Sequence, residues 1–164
     1  MISKKVQKAL NDQVQAEFYS AYMYLAMSTS FAEQSLSGIA HWFKVQYEEE
    51  NTHAHKIIDY IIERGGKVEL KEIKAPGTDF GSPLAVFEKA LSHEQHVTSL
   101  INKLYELAVE EKDYATQVFL QWFITEQVEE EDSVGEIVEQ MKRIPENSAA
   151  LFYFDQKLAA RKDD

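Results

Sequence analysis

The stretch Gly65-Gly66-Lys67-Val68-Glu69-Leu70-Lys71-Glu72-Ile73-Lys74-Ala75-Pro76-Gly77-Thr78-Asp79-Phe80-Gly81-Ser82 decides the topology. It holds four of the six glycines and one of the three prolines, and Pro83 follows it. The remaining breakers are Gly38, Gly135 and Pro145, so the chain on either side is free to run as long helices. A link of this length is unusual inside a compact domain. Here it has a geometric use: a helix of about 27 residues is about 40 Å long. Extended chain of about 18 residues reaches up to about 60 Å. The link can therefore run the length of a helical bundle and return the chain to its starting end. Helices two and three are then parallel, while one–two and three–four are antiparallel pairs. The result is an all-α four-helix bundle with one long crossover. Inside the link, Lys67 to Ile73 alternates apolar and polar residues and predicts a short edge strand that pairs with a symmetry mate.

Apolar residues at spacings of three, four and seven mark the helices. The first spans about 4–34, with Val6, Leu10, Val14, Ala21 and Leu25 on one face. The second spans about 36–64, with Ser35 or Ser37 as its cap and Phe43, Tyr47, Ala54, Ile57 and Ile61 inward. Gly65 and Gly66 end it. Ser82-Pro83 is a start signal for the third, about 83–110. Asp113 caps the fourth, about 113–144, which stops before Pro145. Asn147 or Ser148 caps a short fifth helix over about 147–160.

The chain has 164 residues, of which 45% are hydrophobic and 27% charged, the balance of one folded domain. It has no cysteine, which excludes disulfide frameworks, thiolate metal sites and cysteine nucleophiles. No apolar run approaches the length of a membrane span. The opening Met-Ile-Ser-Lys-Lys carries no signal-peptide apolar segment, and the expectation is a cytoplasmic protein. With Lys plus Arg at 17 and Asp plus Glu at 28, the net charge is −11. Such a surface repels phosphate backbones and argues against a nucleic-acid partner.

The anomaly is acids on the inward stripes. Glu17 stands between Val14 and Ala21, Glu50 between Tyr47 and Ala54, and Glu94 between Leu91 and Thr98. His53 follows Glu50 by one turn, and Gln127 and Glu130 lie between Phe123 and Val134. An isolated buried carboxylate takes up a proton or finds a cation, and several together repel. Carboxylates with one imidazole and no thiolate suit iron or manganese. Taken singly, Glu50-x-x-His53 and the runs Glu48–Glu50 and Glu129–Glu131 read as solvated faces. The spacing argues otherwise. Glu17 to Glu50 and Glu94 to Gln127 are both 33 residues, and a shift of 77 carries Glu17 to Glu94, Glu49 to Glu126, Glu50 to Gln127 and His53 to Glu130. The two helix pairs form a degenerate repeat whose pseudo-twofold axis passes between two metal positions.

These residues resemble the ferroxidase centre of ferritins, with the bacterial non-haem type the nearest match. The likeness covers nearly the whole chain and implies a ferritin-like four-helix bundle with a short fifth helix. It implies that Glu17, Glu50 and His53 hold a first iron, with Glu50 bridging to a second. Glu94 and Glu130 would also bind the second, with Gln127 beside it. Glu49, Glu126 and Glu129 stand at the matching positions of a third site, with Glu130 shared. Tyr24 stands where family members keep a tyrosine beside the iron, equally readable as an aromatic core residue. For Trp122, packing is the simpler reading. Bacterioferritins carry a haem-binding methionine next to the first motif's glutamate, where Asn51 and Thr52 stand here, so no haem is expected. Gln117 and Leu120 occupy the positions where animal ferritins line a threefold channel with acids, which leaves the iron access route open. His41, His55, His93 and His96 fall off the inward positions and read as surface or interface residues.

The implied function is iron storage and detoxification. Fe(II) would be oxidised by O2 or H2O2 and the ferric product kept inside a hollow shell of 24 subunits with octahedral symmetry. Two other readings stand beside it. One is a di-metal bundle acting on an organic substrate or peroxide without storage. The other is a helical interaction protein whose acids are solvated.

Overall fold

Side-chain amides spaced one helical turn apart govern how the crossover lies. The computed structural model describes residues 2–146 and 148–162. Among these are five helices: α1 (Lys4–Glu33), α2 (Ser37–Glu63), α3 (Pro83–Glu110), α4 (Tyr114–Met141) and α5 (Ala149–Leu158). Between α2 and α3 the chain runs along α1. Gln7 Oε1 accepts from Lys67 N at 2.9 Å, and Asn11 bonds both Lys67 O at 3.0 Å and Glu69 N at 2.7 Å. Gln15 Nε2 donates to Glu72 O at 2.5 Å. Within the single chain, Lys67 to Ile73 pairs with no other strand among the described residues. The amides of Gln7, Asn11 and Gln15, which share one face of α1, bond Lys67 N, Lys67 O, Glu69 N and Glu72 O.

Local chemistry sets most of the ends. Gly65, at φ 67°, follows the C-cap of α2, and Gly66 N bonds Ile61 O at 2.8 Å, closing the helix as a left-handed glycine does. Ser82 caps α3 by accepting from Ala85 N at 3.2 Å, with Pro83 at the first helical position. Asp113 caps α4 and Ser148 caps α5. Asn147, the other candidate for that cap, lies outside the described residues. α4 stops at Met141, short of 144, because the ring of Pro145 would clash with the carbonyl one turn earlier.

The α2 cap corrects the sequence reading. Neither Ser35 nor Ser37 provides it, and Leu36 stands at the position with no side-chain bond. The carboxylate comes from α5: Asp155 accepts from Gly38 N at 3.1 Å and Ile39 N at 2.8 Å. An anion at a helix N-terminus satisfies orphan N–H groups and the helix dipole together. Gly38 is required there, because a Cβ would lie 1.7 Å from the carbonyl oxygen of Asp155.

The apolar core is in two pieces. One joins the end of α1 (Met27, Phe31), the start of α2 (Ile39, Phe43), the start of α3 (Phe87) and the end of α4 (Val134, Met141), and α5 closes it with Phe154 and Leu158. The other joins Val6 and Leu10 to Ile57, Ile61, Ile101, Leu104, Leu120 and Phe123. Which ends meet fixes the directions: α1–α2 and α3–α4 are antiparallel, and α2 and α3 are parallel. Between the two clusters lies a polar layer.

Candidate metal centre

That layer is built from one or two residues of each long helix. Glu17, Glu50, His53, Glu94, Gln127 and Glu130 are all buried, none more than 6% exposed. Each sits one turn from apolar residues that bury its helix face, so packing at both ends of the bundle drags the acids inside. None of the four carboxylates forms an ion pair with a lysine or arginine among the described residues. Two buried side-chain oxygens there lack a hydrogen-bond partner, Glu50 Oε2 and Gln46 Oε1, and Gln46 is one turn before Glu50.

Two groups converge closely enough to hold an ion. Ligand atoms of Glu17, Glu50 and His53 lie within 4.8 Å of one another. So do those of His53, Glu126 and Glu130. His53 joins the two: its Nδ1 is 3.5 Å from the unpartnered Glu50 Oε2, and its Nε2 is 3.8 Å from Glu126 Oε1. Glu94 belongs to neither group. Its carboxylate accepts from the Tyr24 hydroxyl and from Gln127 Nε2 at 3.1 Å. Gln127 thus serves Glu94 as a donor. Tyr24 is fully buried, so its ring fills core while its hydroxyl touches a candidate ligand. Glu49 pairs with Arg161 at 2.6 Å. Glu49, Glu126 and Glu129 share with Glu48, Thr52, His53 and Trp122 the walls of a cavity of about 360 Å³.

Burial raises all four acids of the layer, and the neighbouring carboxylates raise Glu50, Glu94 and Glu130 further. Burial drives Glu50 well above the usual carboxylate range, and the charges of Glu94, Glu17 and Glu130 add to it. Burial raises Glu94 to about 7 and Glu130 to about 8, the latter pushed further by Glu94. Glu17 rises for the same first reason, tempered by hydrogen bonds with Glu50 and Gln13. Burial, then the nearby Lys56 charge, lowers His53 to about 4, which keeps its imidazole neutral and able to bind a cation. An arrangement of raised acids, a neutral imidazole and an orphaned carboxylate oxygen fits a multivalent cation.

Two positioning residues escaped the sequence reading. Gln13 Nε2 donates to Glu17 Oε1 at 2.8 Å, and Gln46 Nε2 donates to Glu130 Oε2 at 3.0 Å. Each is an amide one turn before an inward acid, and that spacing is their only sequence signal. The spare histidines divide. His55 and His96 are exposed, and His41 bonds Arg161 O at 2.8 Å. His93, expected at the surface or an interface, is half-buried in the single chain, 2.8 Å from Ser20 Oγ, with its ring 6.1 Å from that of Tyr24. Trp122 also departs from simple packing. It lies at the cavity rim, edge-on to His53 at 5.3 Å, with Lys56 Nζ 4.1 Å from its ring centre.

Fold and site together define an all-α bundle whose polar midlayer is shaped for metal cations. The chain belongs to the ferritin family: the Ferritin-like domain model matches residues 7–144. It is 45% identical over 161 residues to a bacterial non-heme ferritin of Bacteroides fragilis, covering 98% of this chain and 100% of that one. It is 42% identical over 164 residues to one of Staphylococcus aureus, covering 100% of this chain and 99% of that one. Among solved structures, an engineered closed form of the Archaeoglobus fulgidus ferritin matches with TM-score 0.98 at 46% identity, covering 100% of both chains. The open-pore ferritin of the same archaeon matches with TM-score 0.97 at 46% identity, covering 99% of this chain and 100% of that one. No helix of the described residues is long and apolar enough to cross a membrane.

Proposed function

We propose that this protein stores iron and that its midlayer is a ferroxidase centre. The observation that carries the reading is a set of four buried carboxylates on four helices, none ion-paired to a lysine or arginine among the described residues. Fe(II) is the substrate. Glu17, Glu50 and His53 take one ion, and Glu130 with Glu50 takes a second, Glu94 joining once Tyr24 and Gln127 release it. Glu49, Glu126 and Glu129 form an outer position in the adjoining cavity. Two ferrous ions supply one electron each, and O2 or H2O2 accepts the pair. Anionic oxygen ligands favour Fe(III) over Fe(II) and so drive the oxidation. The residues' own part is to give up protons as the ions bind, since neutral carboxyls must ionise to ligate.

The cavity beside the centre favours storage over chemistry on an organic molecule. Its walls carry four carboxylates, Glu48, Glu49, Glu126 and Glu129, and suit cations in transit. Storage also needs an enclosed volume, which one chain lacks. Exposed Phe152 and Tyr153 on α5, and Tyr114 and Val118 on α4, are apolar surface suited to contacts between copies. They support a closed shell, which on the family resemblance has 24 subunits with octahedral symmetry and works in the cytoplasm.

The test is to add excess Fe(II) in air to metal-free protein at neutral pH and count ferric ions that stay soluble with it. We expect tens of ions per chain or more. Two or three per chain would mean a di-metal site without storage. Uptake no greater than in a protein-free control would overturn the reading.

A further inference from the structure

The C-terminal segment after α5 places an arginine against the candidate outer position. Arg161 Nη2 is 2.6 Å from Glu49 Oε2, and the pair is largely shielded, with about 21% of the arginine and 18% of the glutamate side chain exposed. Three further contacts hold that segment in place. The guanidinium lies 4.5 Å from the ring centre of Trp42, Nη1 donates to Trp42 O at 3.4 Å, and His41 Nε2 meets the carbonyl oxygen of Arg161 at 2.8 Å. Trp42 is itself buried in the apolar cluster that α5 closes. The arginine is therefore presented by a fixed platform. Its charge also reaches Glu130, whose carboxyl it pulls down against burial and Glu94.

We propose that Arg161 is a built-in competitor for cations at the outer position. The inference rests on the reading that Glu49 is a ligand there. The Glu49 carboxylate cannot be engaged by both the guanidinium and a metal ion without bringing two positive centres together. A cation binding at Glu49 must displace Arg161, so the outer position is the weakest of the three and fills last. When it fills, the segment after α5 is released from Glu49 while Trp42 and His41 still hold its base. The arginine thereby sets the affinity of the outer position without being a ligand. It also links that position to the end of α5.

The test uses the full-length assembled protein, free of metal, titrated with Zn²⁺ as a redox-inert probe in a calorimeter. Arg161→Gln is expected to tighten the weakest class of sites about two- to fivefold, the upper part of the range for one partly exposed charge pair, and to leave the tighter classes unchanged. Arg161→Lys keeps the charge but loses the fork and the stacking, and falls between the two. In a Trp122→Phe background, Trp42 emission should change only as the weakest class fills, and Arg161→Gln should abolish that change. Glu49→Gln should remove the class. An Arg161→Gln isotherm that superimposes on the parent's, while Glu49→Gln still loses the class, overturns the competitor and leaves the outer position standing. A Glu49→Gln isotherm that keeps every class overturns the outer position and the competitor with it.

Discussion

The two helix pairs of the bundle carry the same plan and execute it differently. In α1–α2, Glu17 and the Glu50-x-x-His53 pair bring three ligand atoms within 4.8 Å of one another. In α3–α4, Glu94 and the Gln127-x-x-Glu130 pair stand at positions shifted by 77 residues, but there the contacts are hydrogen bonds to partners. Gln127 donates to Glu94 and, with Tyr24, occupies its carboxylate. Glu130 instead joins His53 and Glu126, steered by Gln46 of the other pair. The α1–α2 half keeps a carboxylate and an imidazole, and its ligand atoms converge closely enough to hold a cation. In the other half an amide and a carboxylate stand there instead, and Glu94 is engaged by Tyr24 and Gln127. A firm first position and a looser second one suit a protein whose metal is cargo to be passed on.

The largest effect should come from breaking the firm half. Glu50→Ala removes the acid that the proposed function places at both iron positions and should slow ferric-product formation by about 100-fold or more, since even outer supporting groups are worth about 10- to 100-fold. The rise of ferric absorbance after mixing with Fe(II) in air measures it. Next is the attempt to make the halves equal. Gln127→Glu with Glu130→His copies the first motif into α4 and should convert passing iron into bound iron. About two ions per chain should survive desalting against a chelator, as two equal Glu-x-x-His motifs require, and turnover after the first cycle should fall. If retention and release both match the parent, the difference between the halves has no functional meaning.

A smaller effect should follow from uncoupling the halves. Gln46→Leu removes the amide that holds Glu130 across the bundle and should cost about tenfold in oxidation rate. Oxidation at parental speed would show that Glu130 finds its place unaided.

The smallest effect is on stability of the metal-free protein and has a definite sign. Glu130 is raised to about 8 in the fold and is near 4.5 when unfolded, so between those values the folded state holds the extra proton. Its contribution therefore falls as pH rises from about 4.5 towards 8. His53, lowered to about 4, acts oppositely, adding stability as pH rises from 4 to its unfolded value of 6.5. Glu130→Gln should thus melt with the parent at pH 5 and a few degrees above it at pH 8.5, each kcal/mol shifting the midpoint by about 2–4 °C. A gap that shrinks with rising pH would contradict the cause given for the raised carboxyl.

Periodicity and punctuation alone specified the helices and their order, because burying one face of a helix requires apolar residues at helical spacing, and glycine and proline mark where that spacing stops. The length of the crossover specified that α2 and α3 run parallel, since only a link of that reach spans the bundle. The inward acids were legible for the same reason: a carboxylate on an apolar stripe has nowhere else to point. Only the folded chain decided what depends on groups distant in sequence. The cap of α2 comes from Asp155, 117 residues from Gly38. The crossover is held along α1 by the amides of Gln7, Asn11 and Gln15, with Lys67 56 residues from Asn11. The partition of Glu94 to Tyr24 and Gln127, and of Glu130 to Gln46, depends on hydrogen bonds effective only within about 3 Å. A one-dimensional pattern shows which face a residue takes. Which neighbour it meets on that face depends on how the helices pack.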